Sequence, residues 1–141
     1  MNTKRNGFTL VELIIVVSLV GLMAGLALPF FLSYLRAAEV QAGGREVSAF
    51  LAQARSVALK CNQVVTVSRS GASFIVSPTD PIGCPPPVPL KVQGNVTIQG
   101  GSVVTFFPLG NASPATIFQV QGSSASINVS LTSTGRAFLS Q

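Results

Sequence analysis

Between Leu13 and Leu32 the chain reads LIIVVSLVGLMAGLALPFFL, without a single charged side chain. A run of about 20 apolar residues is long enough to cross a hydrocarbon core of about 30 Å as a helix. It is apolar on every face, so as a buried core helix it would need more surrounding protein than the rest of the chain supplies. The run therefore predicts a membrane span. Lys4 and Arg5 precede it with no acid to offset them, which keeps the N-terminus cytoplasmic and sends the remainder across. Cys61 and Cys84 suit the oxidising side that the remainder would then occupy.

Composition narrows the chemistry. The 141 residues include 9 Lys+Arg, 4 Asp+Glu and no His, a net charge of +5. Charged residues make up 9% of the chain, against about 25% in an ordinary soluble domain, and the mean hydropathy is +0.55. Without His there is no imidazole acid–base chemistry and no His metal site. The acids are Glu12, Glu39, Glu46 and Asp80. With Asp80 alone beyond the first fifty residues, paired-carboxylate catalysis or an acidic Ca2+ cage is not expected there. No Gly-x-Ser-x-Gly elbow occurs. The expectation is a structural or binding protein, not an enzyme, with no catalytic residue, cofactor, metal or small-molecule substrate.

Beyond Tyr34, apolar side chains recur at Val40, Val47, Phe50, Leu51, Ala54, Val57 and Ala58, a helical period with one apolar face. Arg36, Glu39, Gln41, Arg45, Glu46, Gln53, Arg55 and Lys60 take much of the opposite face. A helix from about Thr9 to Lys60 is predicted, with its second half packed on a sheet. Pro29 should bend it or melt it locally. Gly43-Gly44 reads as a weak point, at about 1 kcal/mol per Gly relative to Ala. Gly21 and Gly25, four apart, would permit close approach of another helix.

After Cys61 the period changes to two. Candidate strands are Val64–Arg69, Ser73–Ser77, Leu90–Val92, Val96–Gln99, Val103–Phe107, Thr116–Val120, Ser126–Leu131 and Arg136–Leu139, separated by turn signals such as Ser70-Gly71, Gly94-Asn95 and Thr134-Gly135. Short, alternating, closely spaced strands predict an antiparallel sheet or small sandwich, so the fold class is α+β. The proline cluster Pro78–Pro89 should be an exposed loop. Cys61 at the helix end and Cys84 in that loop are expected to form a disulfide worth about 3 kcal/mol. The sequons at Asn95, Asn111 and Asn128 carry little weight in a Ser/Thr-rich chain.

The stretch Gly7-Phe8-Thr9-Leu10-Val11-Glu12, behind the short basic leader Met1–Gly7, resembles the prepilin cleavage motif of type IV pilins and type II secretion pseudopilins. That resemblance implies cleavage by prepilin peptidase after Gly7 and N-methylation of Phe8. It also implies an assembly role for Glu12 and for the proline, Pro29. The amine created at Phe8 would lie one helical turn from Glu12. In a filament the carboxylate could pair with the amine of a neighbouring subunit. Breaking such a buried pair costs about 3–5 kcal/mol.

A second segment, REVSAFLAQARSVALKCNQVVTV from Arg45 to Val67, is similar to the helix-to-first-strand region of the GspH/FimT family, with its LxxARSxA helix and xxVxV strand. Thr134-Gly135-Arg136 resembles that family's last strand. The resemblance implies a type IV pilin-like fold. It divides the chain into a cleaved leader (1–7), a transmembrane and assembly helix (8–34) and a periplasmic or extracellular domain (35–141), helical to residue 60 and β-rich from 61. It implies a minor pilin or minor pseudopilin that primes assembly or sits near the filament tip. Its partners would be other pilins, prepilin peptidase and, before assembly, the bacterial inner membrane. Some FimT-type minor pilins bind DNA through a basic C-terminal region. The candidates here are Arg136, Arg69 and Lys91, and phosphate contact needs several bases on one face. The remaining alternative is a secreted β-rich protein cut after Ala27, since Gly25 and Ala27 have signal-peptidase spacing. Glu12 at the head of the run, and the helical pattern that continues past Pro29, argue against it.

Overall fold

The computed structural model describes residues 8–140, and the leader lies outside them. Helix α1 (Leu10–Cys61) is followed by β1 (Val65–Ser70), β2 (Ser73–Pro78), β3 (Leu90–Lys91), β4 (Thr97–Gly100), β5 (Val103–Phe106), β6 (Ala112–Ser113), β7 (Thr116–Gln121), β8 (Ser126–Leu131) and β9 (Ala137–Ser140). The chain falls into two compact units, one ending at Leu35 and one beginning at Arg36.

The first unit is, among the described residues, helical from Leu10 onward. Among the described residues one helix is long and apolar enough to cross a membrane. Helical structure runs through Pro29 without a break, so the expected local melting does not occur. Proline removes one N–H from the ladder, but the flanking turns remain. Ser18 and Ser33 satisfy their hydroxyls on the carbonyls of Ile14 and Phe30, at 2.7 and 2.8 Å, which lets polar side chains sit in an apolar helix.

In the second unit α1 buries Val40, Gly43, Gly44, Val47, Phe50, Leu51, Ala54 and Ala58, the stripe that the period predicts. It packs on antiparallel strands in two sheets, ordered β3-β2-β1-β5-β6 and β4-β7-β8-β9. Alternation supplies the core: Val65 and Val67, Phe74 and Val76, Val104 and Phe106, Phe118 and Val120, and Ile127, Val129 and Leu131 all point inward. Phe74 links the three layers. Its ring lies 6.0 Å from Phe50 of the helix and 5.6 Å, edge-on, from Phe118 of the other sheet.

Two expectations need correction, and one further strand joins those expected. Gly43-Gly44 is a packing site as well as a propensity defect. A Cβ on Gly43 would fall 3.1 Å from Val92 Cγ1, and one on Gly44 would fall 2.8 Å from Ile127 Cγ2, so the glycines let the helix lie against the strands. Strand β3 ends at Lys91, one residue short of the expected Val92, although the Val92 N–H still reaches the Ala72 carbonyl at 3.0 Å in the same register. Strand β6 was not expected: two residues flanked by Asn111 and Pro114 carry no periodicity, and pairing with β5 alone defines it.

Candidate functional site

The first turn of α1 carries the N-terminal motif. Thr9 caps the helix: its Oγ1 accepts from the Glu12 N–H at 3.2 Å, and its carbonyl accepts from the Leu13 N–H at 3.2 Å. Thr and Glu three apart at a helix start are the elements of a capping box, a signal that the sequence carries alongside the cleavage-motif pattern. The Glu12 carboxylate therefore lies in the first turn, where the helix dipole favours negative charge. Gly7 lies outside the described residues, and Phe8 is 77% exposed. From Phe8 to Leu35 the large apolar side chains are 42–77% exposed. A Cβ on Gly21 or Gly25 would meet nothing within 4 Å, so no packing inside the unit explains these glycines.

The helix end is tied to the proline loop by the Cys61–Cys84 disulfide, with Cα atoms 5.9 Å apart. Cys84 is buried while Ile82 and Val88 beside it are exposed. Pro78 closes β2, paired with Val65, so the expected loop begins one residue later; from Thr79 to Pro89 it holds no strand and is braced by the Gln63 side chain, which accepts from the Asp80 N–H at 2.7 Å and donates to its carbonyl at 3.2 Å.

The three basic candidates are not brought together. Arg69, at the end of β1, shares the inward parity of Val65 and Val67, and its guanidinium is spent on carbonyls. It donates to Gly101 at 3.0 Å, Gly71 at 3.0 Å, Ile98 at 2.9 Å and Gly100 at 2.8 Å. Lys91 pairs in register with Ser73, which has the outward parity of its sheet. Arg136 is exposed in the turn between β8 and β9 of the other sheet.

Arg136 lies instead beside Arg55, a residue that the pattern placed on the polar face. Both line a cleft of about 290 Å3 with Ser56, Leu59 and Gly135. Arg55 is half-buried, and its Nε donates to the Gly110 carbonyl at 2.8 Å. Gly135, with φ of +74°, lies against the same group: a Cβ there would overlap the Gly110 carbonyl and approach Arg55 Nε to 3.1 Å. Arg55 of the ARS segment and the Thr134-Gly135-Arg136 turn, 79 to 81 positions later, thus meet at one node.

Comparison with known proteins gives two family matches. Residues 44–135 match the family described as type II transport protein GspH, and residues 2–28 match the prokaryotic N-terminal methylation motif. A fimbrial protein of Pseudomonas aeruginosa is 37% identical over 62 residues, 44% of this chain and 40% of that protein. The type IV major pilin protein PilE1 of Neisseria gonorrhoeae is 50% identical over 40 residues, 28% of this chain and 24% of that one. The chain thus spans less than half the length of these curated relatives. The crystal structure of the type IV minor pilin FimU from Pseudomonas aeruginosa superposes with a TM-score of 0.62 at 18% identity, over 74% of this chain and 90% of that one. At that identity the likeness is one of fold: a helix packed on antiparallel sheets.

Proposed function

The chain belongs to the GspH family, and we propose that it is a minor pilin or pseudopilin that is cleaved after Gly7, N-methylated at Phe8 and built into a filament through α1. Association with other pilins in a filament comes with the family, which is structural and not enzymatic. The finer role, in priming assembly or near the tip, is part of the proposal. So are a single-pass precursor in the inner membrane with a cytoplasmic N-terminus and a cell-surface or periplasmic filament as its destination.

One observation carries the proposal. The helical segment exposes its apolar side chains from Phe8 to Leu35 on every side, and among the described residues the unit contains nothing else to cover them. Burying a Leu, Ile or Phe side chain is worth about 1.5–3 kcal/mol, so the segment needs lipid first and neighbouring helices afterwards. In that bundle Glu12 would be an expensive lone charge unless the Phe8 amine of a neighbour meets it. Glu12 then fixes the axial register at which a subunit docks.

Shearing filaments from cells that make the protein tests this. The wild-type chain is expected in the sheared fraction, and Glu12→Val should reduce its recovery more than about tenfold while leaving it in the membrane. Wild-type chain that never leaves the membrane, or full recovery of Glu12→Val, would contradict the proposal.

A further inference from the structure

Each sheet has two edges, and three of the four are closed by side chains or by brevity. Strands β3 and β6 are two residues long. The Ala112 N–H of β6 is taken by the Ser133 carbonyl at 2.9 Å, and Pro114 follows at once. On β4 the carbonyls of Ile98 and Gly100 both accept from Arg69, so the guanidinium occupies the row where another strand would bind. Charge, proline and shortness are the usual guards of an edge.

Strand β9 has none of them. Ala137–Ser140 is apolar or neutral, without proline or charge, and its outer side pairs with no strand among the described residues. Its free polar groups follow from the register. The Thr132 N–H donates to the Arg136 carbonyl at 3.0 Å, making that a hydrogen-bonded pair. In an antiparallel ladder such pairs alternate, so Phe138 and Ser140 bond to β8 while Ala137 and Leu139 turn N–H and C=O to the open side. Phe138 is 50% and Leu139 38% exposed, so one apolar side chain is incompletely covered on each face of the edge. Beneath Leu139 the helix adds a cleft of about 210 Å3, lined by Gln41, Arg45, Ile127, Leu139 and Ser140.

We infer that β9 receives an extended segment of a different protein as a fifth strand. The occupant's chemistry follows from the cleft. Side chains alternate across an added strand, so its inward residues cover Leu139 and approach Arg45, which favours an apolar residue with a neighbouring carboxylate. Its outward residue packs beside Phe138. A second copy of this chain fits poorly, because an isologous pairing of β9 with β9 brings two Arg45 side chains to one seam. Backbone pairing supplies the affinity, and the alternating pockets supply selectivity.

A benzophenone amino acid at position 138 of the full chain, photolysed in cells that make it, tests the inference. The expected product is an adduct with one other protein, mapped by mass spectrometry to an extended segment containing Asp or Glu. Ala137→Pro removes an outward N–H without removing a bond to β8 and should reduce the adduct about tenfold. Arg45→Glu, on the exposed helix face and outside the ladder, should do the same if Ala137→Pro disturbs folding. No adduct, an adduct with a second copy, or an adduct indifferent to Arg45→Glu would overturn the inference. The N-terminus of the same sample is read separately: a processed chain without the adduct refutes the open edge alone, and an unprocessed chain with it refutes the filament assignment alone.

Discussion

Arg55 of helix α1 donates through Nε to the carbonyl of Gly110, 2.8 Å away and 55 positions later in the chain. The bond joins the helix to the loop between β5 and β6, and Gly135 lies against both partners. One guanidinium therefore ties together three segments that are distant in sequence. Arg55→Ala leaves the buried Gly110 carbonyl without its charged donor, and a hydrogen bond to a charged group contributes about 1.5–3 kcal/mol. Urea unfolding of the protein in detergent should show a loss of about that size. An unchanged midpoint would mean that the node is held by other contacts.

Gly44 separates helix propensity from packing. On propensity alone, substitution by a larger residue should stabilise the helix by a few tenths of a kcal/mol to about 1 kcal/mol. The space is already taken by Ile127 and Leu139, whose methyl groups lie 2.8 and 3.0 Å from the position of a Cβ. Gly44→Val should therefore destabilise by about 1–3 kcal/mol. Stabilisation in the same unfolding assay would show that the helix can move off the sheet freely.

Reduction of Cys61–Cys84 releases a cross-link between residues 23 apart. In the chain-entropy model this costs about 3 kcal/mol. The Cys61→Ala, Cys84→Ala double variant should unfold at a correspondingly lower urea concentration, and reductant should shift the wild type but leave the variant unmoved. Coincident curves for wild type and variant would show that the proline loop is held without the bond.

Arg69→Ala removes four hydrogen bonds to carbonyls and uncovers the edge of β4. Lost stability of about 1.5 kcal/mol or more is expected, together with concentration-dependent association visible by sedimentation. The structural role also predicts that any weak retention of DNA at low salt does not depend on this residue beyond the loss of folded protein. A stable, monodisperse variant with reduced DNA retention would instead return Arg69 to a binding role.

Much of this was legible in the sequence because it depends on local periodicity. The helix was expected from Thr9 to Lys60 and runs from Leu10 to Cys61. Ser126–Leu131 was found at its predicted bounds, and the other expected strands lie within about two residues of theirs. Cys61 and Cys84 pair as their positions suggested. What the sequence concealed depends on contacts across the fold. Arg55 looked like one more polar position on a solvated face, because nothing near it foretells Gly110. Arg69 looks available because three of its four carbonyl partners, in β4 and the residue after it, lie 29 to 32 positions later. Gly43-Gly44 looked like a defect because a missing side chain gains its meaning from the neighbour that fills the gap. Thr9 and Glu12 belong to the cleavage-motif pattern, and the same two residues also start a helix.

The intact mass and N-terminus of the protein, isolated from cells that make it, test the central claim most directly. The account predicts a chain that starts at an N-methylated Phe8, carries the Cys61–Cys84 disulfide and retains Glu12 one turn from the new amine. A chain that starts at Leu28 would mean ordinary secretion and would remove the helix on which assembly depends. A chain that keeps Met1 would leave a membrane-anchored domain without the amine that Glu12 is proposed to meet. Either result would contradict the account.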